Sequence, residues 1–332
     1  MRINASRPRQ TLKRIAQAGR LSVHASRDSI RFWRHSALSV FDAEYEQLVG
    51  RIMYNVHALE KGLAQGDTWR PGRGRKALRN LNDALAMYVQ REFDEASYAY
   101  TQGLSILQRY IERHESSASE LAFLSEIVDG RFLTQSTRQD NAVSGVKVVR
   151  REDKVGNAEK GFFALAQGRS SVRSFSGEAI PSERVMNALI NAEKTPSVCN
   201  RQGWKVYWTE DKELAATVLK HQRGFAYKQM PEVLLTITVS NSVFISPVER
   251  NQGFIDGGLY AMSVLYGLEA EGLAAVPLNA CLYARDRAAV QSLLAIDPAE
   301  EIIMFIAIGD HPAETIVPVS ERRPTASFIR HR

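Results

Sequence analysis

Two arginines and three serines crowd into Gly168-Arg169-Ser170-Ser171-Val172-Arg173-Ser174-Phe175, just ahead of a predicted helix. A guanidinium is a planar fork of donors that matches phosphate oxygens, and hydroxyls add further donors, so the chemistry this stretch suits is the grip of a phosphate. The same composition also suits a solvated basic loop, and the octapeptide alone does not decide between them. Other residue sets invite chemistry and carry less. His57 and Glu60 stand three apart on a predicted helix, but helical metal sites need a second such pair and facing carboxylates, so a packing or surface pair is expected and no metal. Gly72-Arg73-Gly74 has no preceding strand and no third glycine in register, which makes it a basic turn. Arg73, Arg75, Lys76 and Arg79 lack the interleaved aromatics of a nucleic-acid surface. Cys199 and Cys281 form no zinc or CxxC spacing, and no histidine is near Cys199 in sequence, so Cys199 is not expected to be a catalytic thiol.

The chain that must position these groups has 332 residues, 44% hydrophobic and 24% charged, enough for one large or two smaller cores. Its net charge of +6 is concentrated at the start. Arg2, Arg7, Arg9, Lys13, Arg14, Arg20, Arg27, Arg31 and Arg34 face one acid, Asp28, within residues 1–35. With Leu12, Ile15, Leu21, Ile30, Phe32 and Trp33 among them, residues 1–38 of a basic arm reaching to about residue 40 suit an amphipathic helix on an anionic membrane and share the composition of a transit peptide. A frayed, solvated arm is the plainer expectation. No apolar run reaches the roughly 18 residues of a membrane span, and two cysteines outside any framework make a reducing, cytoplasmic setting the default.

Residues 41–130 read as an all-helical module. Leu48, Val49, Ile52, Met53, Val56, Leu59 and Leu63 recur at three- and four-residue spacing and end at the breakers Gly62, Gly66 and Pro71-Gly72. Similar patterns run through Leu78–Tyr88, Leu104–Ile111 and Leu121–Val128. Residues 131–160 lose periodicity and read as a linker with at most one edge strand at Val146–Val149. Residues 161–332 mix types. A helix starts with Ser182 as N-cap, strands are expected at Trp204–Trp208, Val233–Val239, Ala274–Ala280 and Ile302–Ile308, and helices near Asp211–Gln222, Gly253–Gly272 and Arg285–Leu294. Small residues Gly257, Gly258 and Ala261 would let a backbone or flat ligand approach the longest of these helices.

Several pieces in this order resemble the nitroreductase family of FMN-dependent flavoproteins. They are Arg169-Ser-Ser-Val-Arg173-Ser-Phe175, Pro196-Ser197-x-x-Asn200-x-Gln202-x-Trp204, Glu271-Gly272-Leu273, Ala275-Val276-Pro277, Ile308-Gly309-Asp310-His311-Pro312 and Arg322-Arg323-Pro324. The resemblance implies an α+β fold, an antiparallel sheet flanked by helices, here preceded by the helical module, working as a homodimer with FMN at two interface clefts. It assigns Arg169, Ser170, Ser171, Arg173 and Arg322 to the flavin phosphate and ribityl chain. Pro196, Ser197, Asn200 and Gln202 become a loop lent to the partner's cofactor. Pro277, Leu278, Asn279 and Ala280 are the segment whose backbone tunes the flavin ring, so that no side chain need be catalytic. Asn279-Ala280 stands where many members have Glu-Gly, and Gly203 replaces a frequent proline, which bears on substrate choice more than on cofactor binding.

The implied activity is hydride uptake from NAD(P)H and reduction of a second small molecule, a nitroaromatic or quinone, by a ping-pong mechanism. Two alternatives stay open: the same fold with a specialised dehydrogenation or dehalogenation, and an interaction protein with an inactive flavin domain.

Overall fold

The hydrophobic runs of the second half become a four-stranded antiparallel sheet, and those of the first half become helices. The structure is a computed structural model that describes residues 6–38, 43–114, 121–138, 143–225 and 229–332; Arg2 of the basic arm lies outside the described residues. In chain order the elements are α1 (Ser6–His35), α2 (Tyr45–Leu63), α3 (Arg75–Gln90), α4 (Tyr98–Arg113), α5 (Leu124–Ile127), α6 (Gly130–Ser136), β1 (Val146–Arg150), α7 (Phe162–Gly168), α8 (Ser182–Ala192), β2 (Trp204–Thr209), α9 (Lys212–Gln222), β3 (Val233–Ser240), α10 (Gln252–Ala270), β4 (Ala274–Asn279), α11 (Ala284–Leu293), β5 (Glu300–Gly309) and β6 (Glu314–Pro318). None of the described helices is long and apolar enough to cross a membrane. The chain divides into two compact units, Met1–Ile30 with Arg150–Thr315 and Arg31–Val149 with Ile316–Arg332.

In the first unit the sheet order is β2-β3-β5-β4, every neighbouring pair antiparallel. Val233, Leu235 and Ile237 of β3 and Ile306 and Ile308 of β5 point to one face. There they meet Val185, Ala188 and Ala192 of α8 and Tyr260, Ala261, Val264 and Leu268 of α10. The alternate residues Leu234, Thr236, Val276, Leu278, Phe305 and Ala307 are buried too, which is why β3 reads as an unbroken apolar run. A register shift after Ile237 skips Ile303, and this bulge packs against Gly257, where a Cβ would sit 2.7 Å from Ile303 Cγ1.

Gly257 and Ala261 of α10 therefore serve internal packing, whereas Gly258 has no atom within 4 Å of an added Cβ. The closest backbone approach is at Gly267, whose added Cβ would lie 2.6 Å from the Ala188 carbonyl oxygen of α8. Ser182 is the first residue of α8 and does not cap it: Pro181 holds the N-cap position, and the Ser182 hydroxyl donates to Glu210 instead (3.2 Å). Within the basic arm Ser6–His35 form a continuous helix, α1, where a frayed segment is the plainer expectation, and most of its described side chains are solvated as expected.

The second unit packs α2 against α3 and α4, and α4 against α6. Leu48, Ile52, Val56 and Leu59 of α2 meet Leu78, Leu81 and Leu85 of α3 and Leu104 and Leu107 of α4 in one core. Ser97 caps α4 by accepting the Tyr100 N–H, and its hydroxyl also receives the Tyr88 hydroxyl at 2.7 Å. The fourth expected helix is a single turn, α5, because Val128 turns extended and Asp129 caps a fresh helix, α6, by accepting the Arg131 N–H at 2.8 Å.

Candidate functional site

Helix α7 stops at Gly168, and the next residues run extended beside β4. The Val172 N–H donates to the Ala275 carbonyl of β4 at 3.0 Å, and the Ser176 N–H donates to the Asp310 carbonyl, also at 3.0 Å. β4 lies at one edge of the sheet, so this segment covers its otherwise open side. Burial alternates along it: Ser170 and Val172 are buried, Arg169, Ser171 and Arg173 half-buried. A period of two puts Arg169, Ser171 and Arg173 on one face and turns Ser170 to the other. The spacing Arg-x-Ser-x-Arg thus becomes a row of two guanidiniums and a hydroxyl.

What holds the segment was not legible as chemistry. Lys154 follows β1 in the stretch expected to be a linker, yet its side chain is 6% exposed and pairs with Glu269 of α10, itself 5% exposed, at 2.6 Å. The same ammonium donates to the Gly168 carbonyl at 2.8 Å, one residue before Arg169. Asn157 completes the set, donating to the Glu269 backbone carbonyl (2.7 Å) and side chain (3.1 Å). Residues 131–160 show no periodicity that would mark these two positions. Glu269, an acid on the apolar face of α10, is a signal that could have been read.

At the far end of β4, Pro277 and Ala280 are half-buried, Leu278 is buried and Asn279 is exposed. Asn279 fixes its own turn: its Oδ1 accepts the Cys281 N–H at 3.0 Å, and its carbonyl accepts from Gln222 of α9 at 3.1 Å. The structure thus brings the 168–175 segment and Pro277–Asn279 together on one sheet edge.

The loop of Pro196, Ser197, Asn200 and Gln202 lies elsewhere. It leads into β2, the opposite edge strand, three strand spacings or roughly 14 Å from β4. Its backbone is strained: Cys199 (φ 50°), Asn200 (φ 55°) and Gln202 (φ 48°) all occupy the left-handed region, at roughly 1 kcal/mol or more each for residues other than glycine. Several clamps maintain it. Asp256 of α10, buried, accepts the Val198 N–H through both oxygens at 3.3 and 3.2 Å. Ser197 Oγ accepts the Gln202 N–H at 2.9 Å, and Gln202 Nε2 donates to Asn200 Oδ1 at 3.0 Å. Arg201 pairs with Glu249, whose carboxyl that guanidinium, with the N–H groups of Ile245 and Ser246, holds down at about 2. Pro196, Asn200 and Gln202 are left exposed at the tip. Gly203 follows because a Cβ there would meet Val243 at 2.8 Å, an approach that proline could not make.

His311, after β5, is 1% exposed. Burial first, then the charges of Lys154 and Arg151, push its pKa down to about 4, so it stays neutral at physiological pH. Its carbonyl accepts from Arg151 Nε at 2.6 Å, and Arg151 also pairs with Asp310 at 2.7 Å.

Arg322 belongs to the second unit. It is exposed on a tail with anchors on either side. The Ser320 N–H donates to Glu60 at 3.3 Å, Tyr98 donates to the Glu321 carbonyl at 3.0 Å, and Arg323 reaches Glu46 at 3.4 Å. Glu60 is 1% exposed and also accepts the Gly145 N–H at 3.1 Å. His57 does lie 3.6 Å from Glu60, but the Glu60 carboxylate is mainly a tail anchor.

The nitroreductase family model matches residues 166–229, which include the basic segment and the strained loop. No curated protein matches the chain. Among solved structures, a candidate nitroreductase from Bacillus subtilis is 18% identical, over 52% of this chain and 98% of that one, with a TM-score of 0.45. A candidate nitroreductase from Desulfovibrio desulfuricans, in complex with FMN, is 20% identical over 52% and 97% (TM-score 0.44). A nitroreductase family protein from Clostridium difficile 630 is 18% identical over 52% and 98% (TM-score 0.44).

Proposed function

We propose, from the nitroreductase-family segment at residues 166–229, that this chain is an FMN-dependent oxidoreductase. It would take hydride from NAD(P)H and reduce a second small acceptor, a nitroaromatic or quinone, in a ping-pong sequence. The observation that carries this reading is the row of Arg169, Ser171 and Arg173 on one face of a segment bonded to β4 through Val172 and Ala275. Two guanidiniums and a hydroxyl form a donor set suited to the two negative charges of a phosphate monoester. The residues present therefore fit the phosphate end of FMN.

Bound there, the flavin supplies the hydride chemistry. The chain's own residues orient and tune it. Lys154, held by Glu269, fixes the Gly168 carbonyl and with it the start of the Arg169–Arg173 row. The backbone of Leu278, Asn279 and Ala280 would present donors to the ring, and the Asn279 turn keeps that segment in one conformation.

The loop of Pro196, Ser197, Asn200 and Gln202, on the opposite sheet edge, would complete the site of a second copy in a homodimer. Exposed apolar side chains support this: Phe254, Ile255 and Leu259 of α10, and Met186 and Ile190 of α8. The deciding experiment is purification followed by anaerobic titration with NADH and NADPH. The expected result is a yellow protein whose flavin absorbance bleaches on reduction. Colourless protein that takes up no added FMN would sink the proposal.

A further inference from the structure

Helix α1 is not used by the proposed site. Its residues Leu12, Ala16, Gly19, Val23, Ser26, Ile30 and Trp33 recur at alternating four- and three-residue spacing, which gathers them in one stripe. That stripe is exposed throughout, with Leu12 67% and Trp33 70% accessible. The helix turns a different side inward: Gln17, His24 and Asp28 are its half-buried positions within residues 11–35. Asp28 accepts from Arg250 Nε at 2.8 Å and pairs with the same guanidinium through Nη2. Beside the apolar stripe runs a second one, Lys13, Arg20, Arg27 and Arg34, spaced by seven and exposed. On the other border Ser22 and Ser29 donate to the carbonyls of Ala18 and Ala25, both at 3.0 Å, so their hydroxyls are already satisfied within the helix.

The four-three spacing would also suit pairing with α1 of a second copy, and charge decides against it. In such a pair the seven-residue basic row flanks the seam, where a partner helix should offer acids. The corresponding row across the stripe is Ile15, Ser22, Ser29 and Ser36, without a carboxylate, and Ala16, Gly19 and Ser26 would be poor knobs. An anionic surface supplies the missing countercharge along the whole row. An apolar stripe ending in tryptophan, with lysine and arginine alongside, is the pattern of a helix lying in a bilayer interface. We infer that α1 docks the protein on anionic lipid bilayers, its Leu12–Trp33 stripe in the headgroup–acyl boundary and its Lys13–Arg34 row against acidic headgroups.

Co-sedimentation of the full chain with phosphatidylcholine vesicles, with and without phosphatidylglycerol, tests this. Binding is expected only with phosphatidylglycerol present, and it should weaken as salt shortens the screening length. Lys13→Glu/Arg20→Glu/Arg27→Glu should lower the partition coefficient by about a hundredfold or more. Leu12→Ser/Ile30→Ser should lower it by about tenfold or more, the loss expected for two buried aliphatic groups. These positions are exposed, so unchanged far-UV dichroism and thermal midpoint are expected and separate lost docking from lost folding. Equal binding to neutral and anionic vesicles, or retention by the charge-reversed chain, would overturn the inference. So would absence of vesicle binding together with a solution mass that halves in Leu12→Ser/Ile30→Ser, the result that pairing of two α1 helices predicts.

Discussion

Lys154 and Glu269 form an ion pair at 2.6 Å with both side chains more than nine-tenths buried, and the Lys154 ammonium reaches on to the Gly168 carbonyl. A pair this dry gains little over apolar replacements, but losing one partner strands a buried charge, at about 3–5 kcal/mol. Lys154→Met is therefore expected to lower denaturant stability by that amount. Lys154→Met/Glu269→Leu should recover most of it. FMN affinity should stay reduced in the double variant, since the Gly168 anchor is still missing; stability and flavin titrations on the same samples check both points.

The row of Arg169 and Arg173 predicts loss of cofactor without loss of fold. Arg173→Ala should weaken FMN about ten- to a hundredfold, the equivalent of one charged hydrogen bond. Ser170→Ala, on the buried side of the segment, should leave FMN affinity within about twofold, well under 1 kcal/mol. Arg322→Ala decides the part of the second unit's arginine: a loss similar to that of Arg173→Ala is expected. Flavin fluorescence titration of apoprotein reads all three.

His311 predicts an acid-sensitive fold. The unfolded imidazole titrates near its ordinary value of about 6.5, whereas the folded one is depressed to about 4. Its contribution is complete above about pH 6.5 and is lost as pH falls toward 4, because the unfolded chain takes up the proton first. The loss over that window is about 3 kcal/mol. Thermal midpoints between pH 7 and 4.5 should fall less steeply in His311→Gln, whose side chain does not titrate.

Gly267→Ala tests the α8–α10 crossing. The added methyl would press on Ala188 backbone atoms, 2.6 Å from its oxygen and 2.8 Å from its Cα, which cannot rotate away. Overpacking should cost about 1–3 kcal/mol, more than the gain of about 1 kcal/mol in helix propensity offsets. A lower urea midpoint is expected, whereas Gly258→Ala, with no atom within 4 Å of its Cβ, should raise it slightly.

The sheet was legible because β3 and β5 are covered on both faces and so read as continuous apolar runs, from Val233 and from Ile302. The helices α2, α3 and α4 were legible from spacing alone. Arg169 and Arg173 announced themselves by type, but which serine joins them depends on the alternation set up by bonding to β4. Lys154 and Asn157 were illegible because their burial follows from α10, more than 110 residues later, and nothing local marks it. Asp256 and Glu269 did leave a trace as single acids within an apolar helix. Ser182 misled because its hydroxyl has a tertiary acceptor, Glu210, that competes with capping. Gly267 sits in an ordinary helical pattern, and only the path of α8 makes it necessary.

The segment along β4 and the loop before β2 occupy opposite edges of one sheet. With the cofactor site proposed to take one edge from each of two copies, flavin retention becomes a reporter of self-association. Holoprotein diluted below its assembly constant should release FMN, and apparent affinity should rise with protein concentration, by the mass action that links any ligand to the species binding it. Each mixed pair of an Arg173→Ala chain with an Asn200→Ala/Gln202→Ala chain would contain one intact site. Two chains defective for different reasons should then restore about a quarter of the flavin binding when mixed in equal amounts, because exchange of subunits makes about half of the pairs mixed and each of those holds one intact site of two.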